Sequence, residues 1–311
     1  MNVPQNTDVA APHGTEAAHG TEAGHLPPAA RAASAAPVAV VTGASRGLGL
    51  ALARELAAEG WQLVVTARDA AELSVVAAEL AALTKVVAPA GSVVDDDHRE
   101  RLAEAAAGLG GASLLVNNAS TLTGYDLAGA PLPRFADFPL PGLLETFEVN
   151  VLGPIALTQL VLPQLRERAG AVLNVSSDAA VEAYAGWGGY GASKAALDHA
   201  SAVLAEEERE LRVWAVDPGD MRTRMHQEAF PGEDISDRPL PETVVPALLA
   251  LVHGRPASGR YRAADLLPTA ESESESETEA EPTGAAGAAA APEAPAAATA
   301  PTEPAPVGGG R

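Results

Sequence analysis

Val38-Ala39-Val40-Val41-Thr42-Gly43-Ala44-Ser45-Arg46-Gly47-Leu48-Gly49 reads as an apolar run, a glycine-rich turn and the start of a helix, in that order. The run 38–41 has the length and unbroken apolarity of a strand buried on both faces. From Leu50 to Glu59 the spacing is helical, with Leu52, Leu56 and small alanines among the apolar positions. Strand, glycine turn and helix together are the context that a dinucleotide-phosphate loop requires. Glycine lets the backbone approach a pyrophosphate, and the first N–H groups of the helix point at its charge. Gly43, Ser45, Arg46, Gly47, Leu48 and Gly49 are therefore candidate cofactor-binding residues. The spacing is G-x-x-x-G-x-G, not the commoner G-x-G-x-x-G, so the surrounding chain has to carry the argument as well.

It does so by repeating the pattern. Further strands are predicted at 62–67, 86–87, 114–116, 171–175, 212–216 and 259–262. Helices are predicted at 69–84, 95–109, 142–168, from Tyr190 to about Leu211, and near 241–253. The 142–168 helix holds Asn150, and Pro154 is expected to kink or bend it. Strands alternating with helices give an α/β fold: one Rossmann-type, doubly wound parallel sheet of about seven strands, with helices on both faces. Functional residues then gather at the carboxyl ends of the strands. Arg68 follows the second strand, where an acid would bind a ribose 2′-hydroxyl and an arginine suits a 2′-phosphate. Arg46 lies in the glycine loop within reach of the same phosphate. Two charged hydrogen bonds, at about 1.5–3 kcal/mol each, would favour NADP(H) over NAD(H) by roughly a hundredfold or more.

Tyr190-Gly191-Ala192-Ser193-Lys194 places a phenol and an ammonium one helical turn apart on one face. Holding a tyrosine as phenolate near pH 7 needs roughly 4 kcal/mol of differential stabilisation, and a fixed positive charge can supply it. Of the 20 basic residues only Lys85 and Lys194 are lysine. A compact ammonium at this one position is thus distinct from the arginines used elsewhere.

With these pieces in place, the sequence resembles the short-chain dehydrogenase/reductase family over essentially all of residues 37–267. The resemblance is carried by Thr42-Gly43-Ala44-Ser45-Arg46-Gly47-Leu48-Gly49, Asn117-Asn118-Ala119, Asn150 in Val149-Asn150-Val151-Leu152-Gly153, Ser177 thirteen residues before Tyr190, Tyr190-x-x-x-Lys194, and Pro218-Gly219-x-x-x-Thr223. It implies an oxidoreductase that moves a hydride between NADP(H) and a carbonyl or secondary alcohol. Tyr190 would be the general acid/base. Lys194 would lower its pKa and bond the nicotinamide ribose. Ser177, with Ser176 as the alternative, would orient the substrate oxygen, and Asn150 would hold a water that links Lys194 to solvent. Asn117 and Ala119 would flank the cofactor, Pro218 and Gly219 would line it, and Thr223 would bind the carboxamide. Assembly as a homo-oligomer, dimer or tetramer, through the helices of Asn150 and Tyr190 is also implied. Three departures stand out. Ser120 replaces a glycine. Gly91-Ser92 falls where an acid is usual, with Asp95 a few residues late. Ala263-Ala264-Asp265 replaces a glycine pair.

The substrate is shaped in this family by the segments 178–189 and 224–239. They hold Tyr184, Trp187, Met225, His226 and Phe230, which suit either a mixed apolar pocket or ordinary loop and core positions. Two other readings remain beside the reductase: a catalytically inactive nucleotide- or protein-binding module, and an NAD-linked alcohol dehydrogenase.

Both ends differ in composition from the body. Residues 1–36 repeat His-Gly-Thr-Glu-Ala and have almost no branched apolar side chains, so a disordered arm is expected; its His13, His19 and His25 are read as part of that arm, not as a metal site. Residues 268–311 open on alternating Glu and Ser, run on in Ala and Pro, and are expected to form a disordered acidic tail. The body between them holds 30 acidic and 18 basic residues of a chain whose net charge is −21, which argues against nucleic acid as a partner. The chain has no cysteine, no signal-peptide pattern and no apolar run of membrane-spanning length, so a cytoplasmic protein with no membrane association is expected.

Overall fold

Apolar runs of four to six residues can bury both faces only inside a layered structure, and the chain forms one. A computed structural model describes residues 36–124 and 126–267. The expected arm (but for Ala36) and the expected tail lie outside the described residues. The strands are β1 (Val38–Thr42), β2 (Gln62–Thr66), β3 (Val86–Val87), β4 (Leu114–Asn117), β5 (Ala171–Val175), β6 (Arg212–Asp217) and β7 (Gly259–Arg262). They form one parallel sheet in the order β3-β2-β1-β4-β5-β6-β7. The helices are α1 (Gly47–Ala58), α2 (Ala70–Leu80), α3 (Asp96–Gly108), α4 (Leu140–Phe147), α5 (Gly153–Glu167), α6 (Gly188–Glu207), α7 (Arg224–Ala229) and α8 (Val245–Gly254).

Alternation along the strands divides the core. Ala39, Val41, Leu63 and Val65 face one cluster with Leu52 and Leu56 of α1 and Leu248 and Leu251 of α8. Val38, Val40 and Val64 face the other, with Leu102 of α3 and Leu157, Val161 and Leu165 of α5. The strand order reverses between β1 and β4, and it is at the carboxyl ends beside such a reversal that doubly wound sheets open a crevice. One hydroxyl holds the two strand ends in register there. Thr42 Oγ1 donates to the Val116 carbonyl at 3.2 Å and accepts from the backbone N–H groups of Asn118 and Ala119, each at 3.0 Å.

One expectation needs correction. The helix expected over 142–168 is two helices joined by a π turn, Glu148–Leu152, with Asn150 at its centre. Pro154 does not kink the helix interior; it sits in the first turn of α5. Having no N–H, it cannot close the α-type bond to the Asn150 carbonyl, and the wider turn accommodates that. Within the segment 224–239, for which no element was predicted, lies the short helix α7. Its six residues are capped by Thr223, whose Oγ1 accepts from His226 N at 3.1 Å.

Leu157 is fully buried between α5 and the sheet. Leu157→Ala is expected to destabilise the fold by about 2–5 kcal/mol, read as a lower urea midpoint with an unchanged slope.

Candidate active site

The carboxyl ends of the strands enclose a cavity of ≈ 1080 Å³. At one end it is floored by the glycine turn. Gly43 has φ +66°, and a Cβ there would lie 2.8 Å from Asn118 Nδ2 and 2.9 Å from Ala119 Cα. The position therefore excludes a side chain on both conformational and steric grounds. Gly49 is as tight, with a Cβ falling 2.5 Å from the Gly43 carbonyl oxygen. Ser45, Arg46, Gly47 and Leu48 follow along the same wall, and Arg68 and Glu72 complete that end. The start of a twelve-residue helix points at this cradle, which suits a pyrophosphate.

Arg46 is not free to meet a 2′-phosphate alone. Its Nη1 donates to Glu72 at 3.1 Å, and Ser45 Oγ donates to the same carboxylate at 3.3 Å. Among the described residues Arg68 is exposed and has no ion-pair partner. The expected two-arginine contact is thus one open arginine and one that already has a counter-ion. At the adenine side Gly91, Ser92 and Val93 line the cavity, whereas Asp95 caps α3, accepting from His98 N at 3.2 Å.

The other end is built on α6. Tyr190 and Lys194 are both buried, and Lys194 Nζ lies 5.5 Å from the Tyr190 ring centroid. Its own hydrogen bond goes to the Val175 carbonyl at 2.7 Å. Burial drives the Lys194 pKa down to about 8, with Asp198 pulling the other way. Burial also pushes the Tyr190 phenol above the usual tyrosine range. The hydroxyls of Ser120 and Ser177 oppose that shift, and the charges of Asp178 and Asp217 reinforce it. Ser177 Oγ donates to Asp178 Oδ1 at 2.9 Å. The alternative, Ser176, is 1 % exposed, and among the described residues its Oγ has no partner.

Asn150 is wholly buried with its amide fully engaged. Nδ2 donates to the Thr121 carbonyl at 2.8 Å and to Ser193 Oγ at 2.9 Å; Oδ1 accepts from Thr121 N at 2.9 Å and Ser120 Oγ at 3.0 Å. The side chain is therefore a brace between the β4 loop and α6. Ser120, read from sequence only as a replaced glycine, bridges Asn150 to the Tyr190 phenol. Asn117 does not reach the cavity. Its Nδ2 donates inward to Asn174 Oδ1 at 2.8 Å, and Asn118 and Ala119 line the wall instead.

Pro218, Gly219 and Thr223 line the far wall. Gly219 has φ +72°, and its N–H is held by Asp217 Oδ1 at 3.0 Å. Tyr184, Trp187, Met225, His226 and Phe230 all line the cavity, and Trp187, Met225 and Phe230 also pack against the apolar cluster that includes Tyr190. Trp187 meets Tyr190 edge-on at 5.6 Å and Phe230 at 5.9 Å. His226 stacks on Phe230 at 4.8 Å and stands 3.7 Å from Asp220. Among the described residues no helix is long and apolar enough to cross a membrane.

A glycine cradle at a helix start, joined by one cavity to a buried tyrosine–lysine pair, is the layout of a dinucleotide-dependent oxidoreductase. Comparison with known proteins agrees. The family model described as short chain dehydrogenase matches residues 37–234. A serine 3-dehydrogenase of Agrobacterium fabrum is 31% identical over 243 residues, covering 75% of this chain and 94% of its own. A solved short-chain dehydrogenase of Shigella flexneri in complex with NADP superposes with a TM-score of 0.68 at 26% identity, covering 74% of this chain and 98% of that one. An alcohol dehydrogenase of Thermococcus sibiricus, solved with 5-hydroxy-NADP, gives a TM-score of 0.65 at 26% identity, covering 73% and 95%. The chain belongs to the short-chain dehydrogenase family.

Ser120→Ala removes both links of the bridge. It is expected to lower turnover by about fivefold, the equivalent of one ordinary hydrogen bond of about 1 kcal/mol, and to leave cofactor binding unchanged in a fluorescence titration.

Proposed function

We propose that this chain is an NADP-dependent reductase or dehydrogenase acting on a carbonyl or secondary alcohol, with Tyr190 as general acid/base. The observation that carries the reading is the Tyr190–Lys194 pair, buried on one face of α6 and opening on the cavity that the glycine turn also floors. At ≈ 1080 Å³ the cavity exceeds the roughly 300–1,000 Å³ of ordinary small-molecule pockets, which leaves room for a dinucleotide and a second molecule. NADP, when bound, supplies or accepts the hydride.

The chain's own residues supply position and the proton. The cradle formed by Gly43, Ser45, Gly47, Leu48 and Gly49 takes the pyrophosphate, with Asn118, Ala119, Pro218, Gly219 and Thr223 along the walls. The raised pKa keeps Tyr190 a neutral phenol at physiological pH, so it donates its proton to a carbonyl oxygen in reduction. Ser177 stands beside that phenol to orient the same oxygen. Trp187, Phe230 and Met225 exclude water around it, in an apolar cluster that includes Tyr190. Lys194 contributes its charge only while protonated. Activity in the reductive direction is therefore expected to be flat below about pH 8, the value to which burial brings Lys194, and to fall above it.

Arg68 supports NADP over NAD, as does the NADP present in the similar Shigella structure. A second reading, NAD-linked oxidation of an alcohol, is favoured by the Arg46–Glu72 pair, because that carboxylate competes with a 2′-phosphate. An exposed apolar strip, Leu144 and Leu152 beside the π turn, supports assembly as a homo-oligomer through the Asn150 helices.

Titration with NADPH and NADH followed by fluorescence tests the cofactor. Arg68→Ala is expected to weaken NADPH by roughly tenfold to a hundredfold and spare NADH, and Glu72→Gln to tighten NADPH by releasing Arg46. Equal effects on the two nucleotides would favour the second reading. Tyr190→Phe is expected to abolish turnover with NADPH binding intact; an inactive binding module would have no turnover to lose.

A further inference from the structure

Just outside the cavity wall, one guanidinium joins three elements. Arg260, on β7, donates from Nη2 to the Ser177 carbonyl at 2.9 Å and from Nε to Asp198 Oδ2 at 3.0 Å. Its Nη2 also stands 3.6 Å from Asp217 Oδ2. All three side chains are largely buried, at 27%, 14% and 5% exposed for Arg260, Asp198 and Asp217. Among the described residues Arg260 is the one cation within ion-pair distance of either carboxylate.

The two acids sit where their charge is felt. Asp198 is one turn beyond Lys194 on the same helix and attracts its ammonium. Its second oxygen, Oδ1, is buried and has no partner among the described residues. Asp217 closes β6, and its charge opposes ionisation of Tyr190, as that of Asp178 does from the end of β5. Lys194 thus has the Val175 carbonyl of β5 as hydrogen-bond acceptor, the Tyr190 ring beside it and the Asp198 charge on α6, while Asp178 after β5 and Asp217 on β6 act on the Tyr190 phenol and Arg260 on β7 pairs with Asp198 and Asp217. Asn150 and Ser193, on the remaining side, are neutral. Two buried carboxylates with no counter-ion would bias the whole set towards the protonated forms.

We propose that Arg260 is a positioning residue for the Tyr190–Lys194 pair: its charge offsets Asp198 and Asp217, and its fork ties β7 to α6 and to the backbone carbonyl of Ser177. This rests on the reading of Tyr190 and Lys194 given above. A planar fork makes the two directed bonds, whereas a lysine would keep the charge alone.

The chain has two lysines, so protein labelled with 13Cε-lysine gives two signals, and Lys85→Arg identifies that of Lys194. Titration of Lys194 then needs neither substrate nor turnover. Arg260→Gln is expected to raise its midpoint by about one pH unit, as loss of a neighbouring charge does. Arg260→Lys is expected to leave the midpoint in place, and Asp198→Asn to lower it. Amide spectra and NADPH titration establish that each variant is folded. A folded Arg260→Gln protein with an unmoved midpoint overturns the proposal. If that variant does not fold, Asp198→Asn decides, since an unmoved midpoint there means that the carboxylate Arg260 offsets does not reach Lys194. A wild-type protein without turnover, in which Arg260→Gln still moves Lys194, would refute the activity and leave the positioning role standing.

Discussion

A lysine ammonium buried in an α/β core must either lose its proton or be given oxygen to bond, and Lys194 sits at the balance point. Among the described residues its hydrogen-bond partner is the carbonyl of Val175 at the end of β5. That bond ties α6 to the sheet at the place where Ser177 leaves it, so the position of the helix, of Tyr190 one turn earlier and of the serine loop are set together. Around this point three polar locks join the elements: Thr42 from β1 to the β4 loop, Asn150 from the π turn to that loop and to α6, and Arg260 from β7 to the Ser177 carbonyl after β5 and to α6. These side-chain bonds frame the crevice, and the segments 178–189 and 224–239 complete its lining.

Most of the sheet was legible because buried parallel strands are short apolar runs between turn residues, and β1, β5 and β6 fall where those runs lie. Glycine placement was legible for a related reason: Gly43 and Gly49 stand where only a missing side chain fits, so the residue type itself reports the close approach. What stayed hidden depends on direction or on distance along the chain. Asn117 belongs to β4 in register with Asn174, so the pleat turns its side chain into the core and gives the cavity to Asn118 and Ala119. Strand alternation contained that signal, and extending the strand by one residue would have found it. No local pattern pairs Ser120 with Asn150, thirty residues on, or Arg46 with Glu72, twenty-six on. The short, polar α7 has too few turns to show a period.

The Arg46–Glu72 pair shows why a charge count at a binding site is a poor guide to affinity. Both side chains are close to half exposed, so the ion pair itself contributes little to stability. Its effect falls on the ligand: an arginine with an intramolecular partner must give that partner up, and the discrimination expected from two arginines shrinks towards that of Arg68 alone.

The π turn at Glu148–Leu152 also changes how the polypeptide can vary. A π turn amounts to one extra residue within a helix, and each residue advances an α-helix by about 100°. The phase of α5 relative to α4 is set by that surplus residue, so Leu157, Val161 and Leu165 meet the sheet only with it in place. Loops on the surface absorb insertions and deletions; this segment cannot. Losing one residue between 148 and 152 would rotate the apolar stripe of α5 off the core and carry Asn150 away from Ser120 and Ser193 in the same motion, which makes chain length here, as much as residue identity, a condition for having both a packed core and an assembled site.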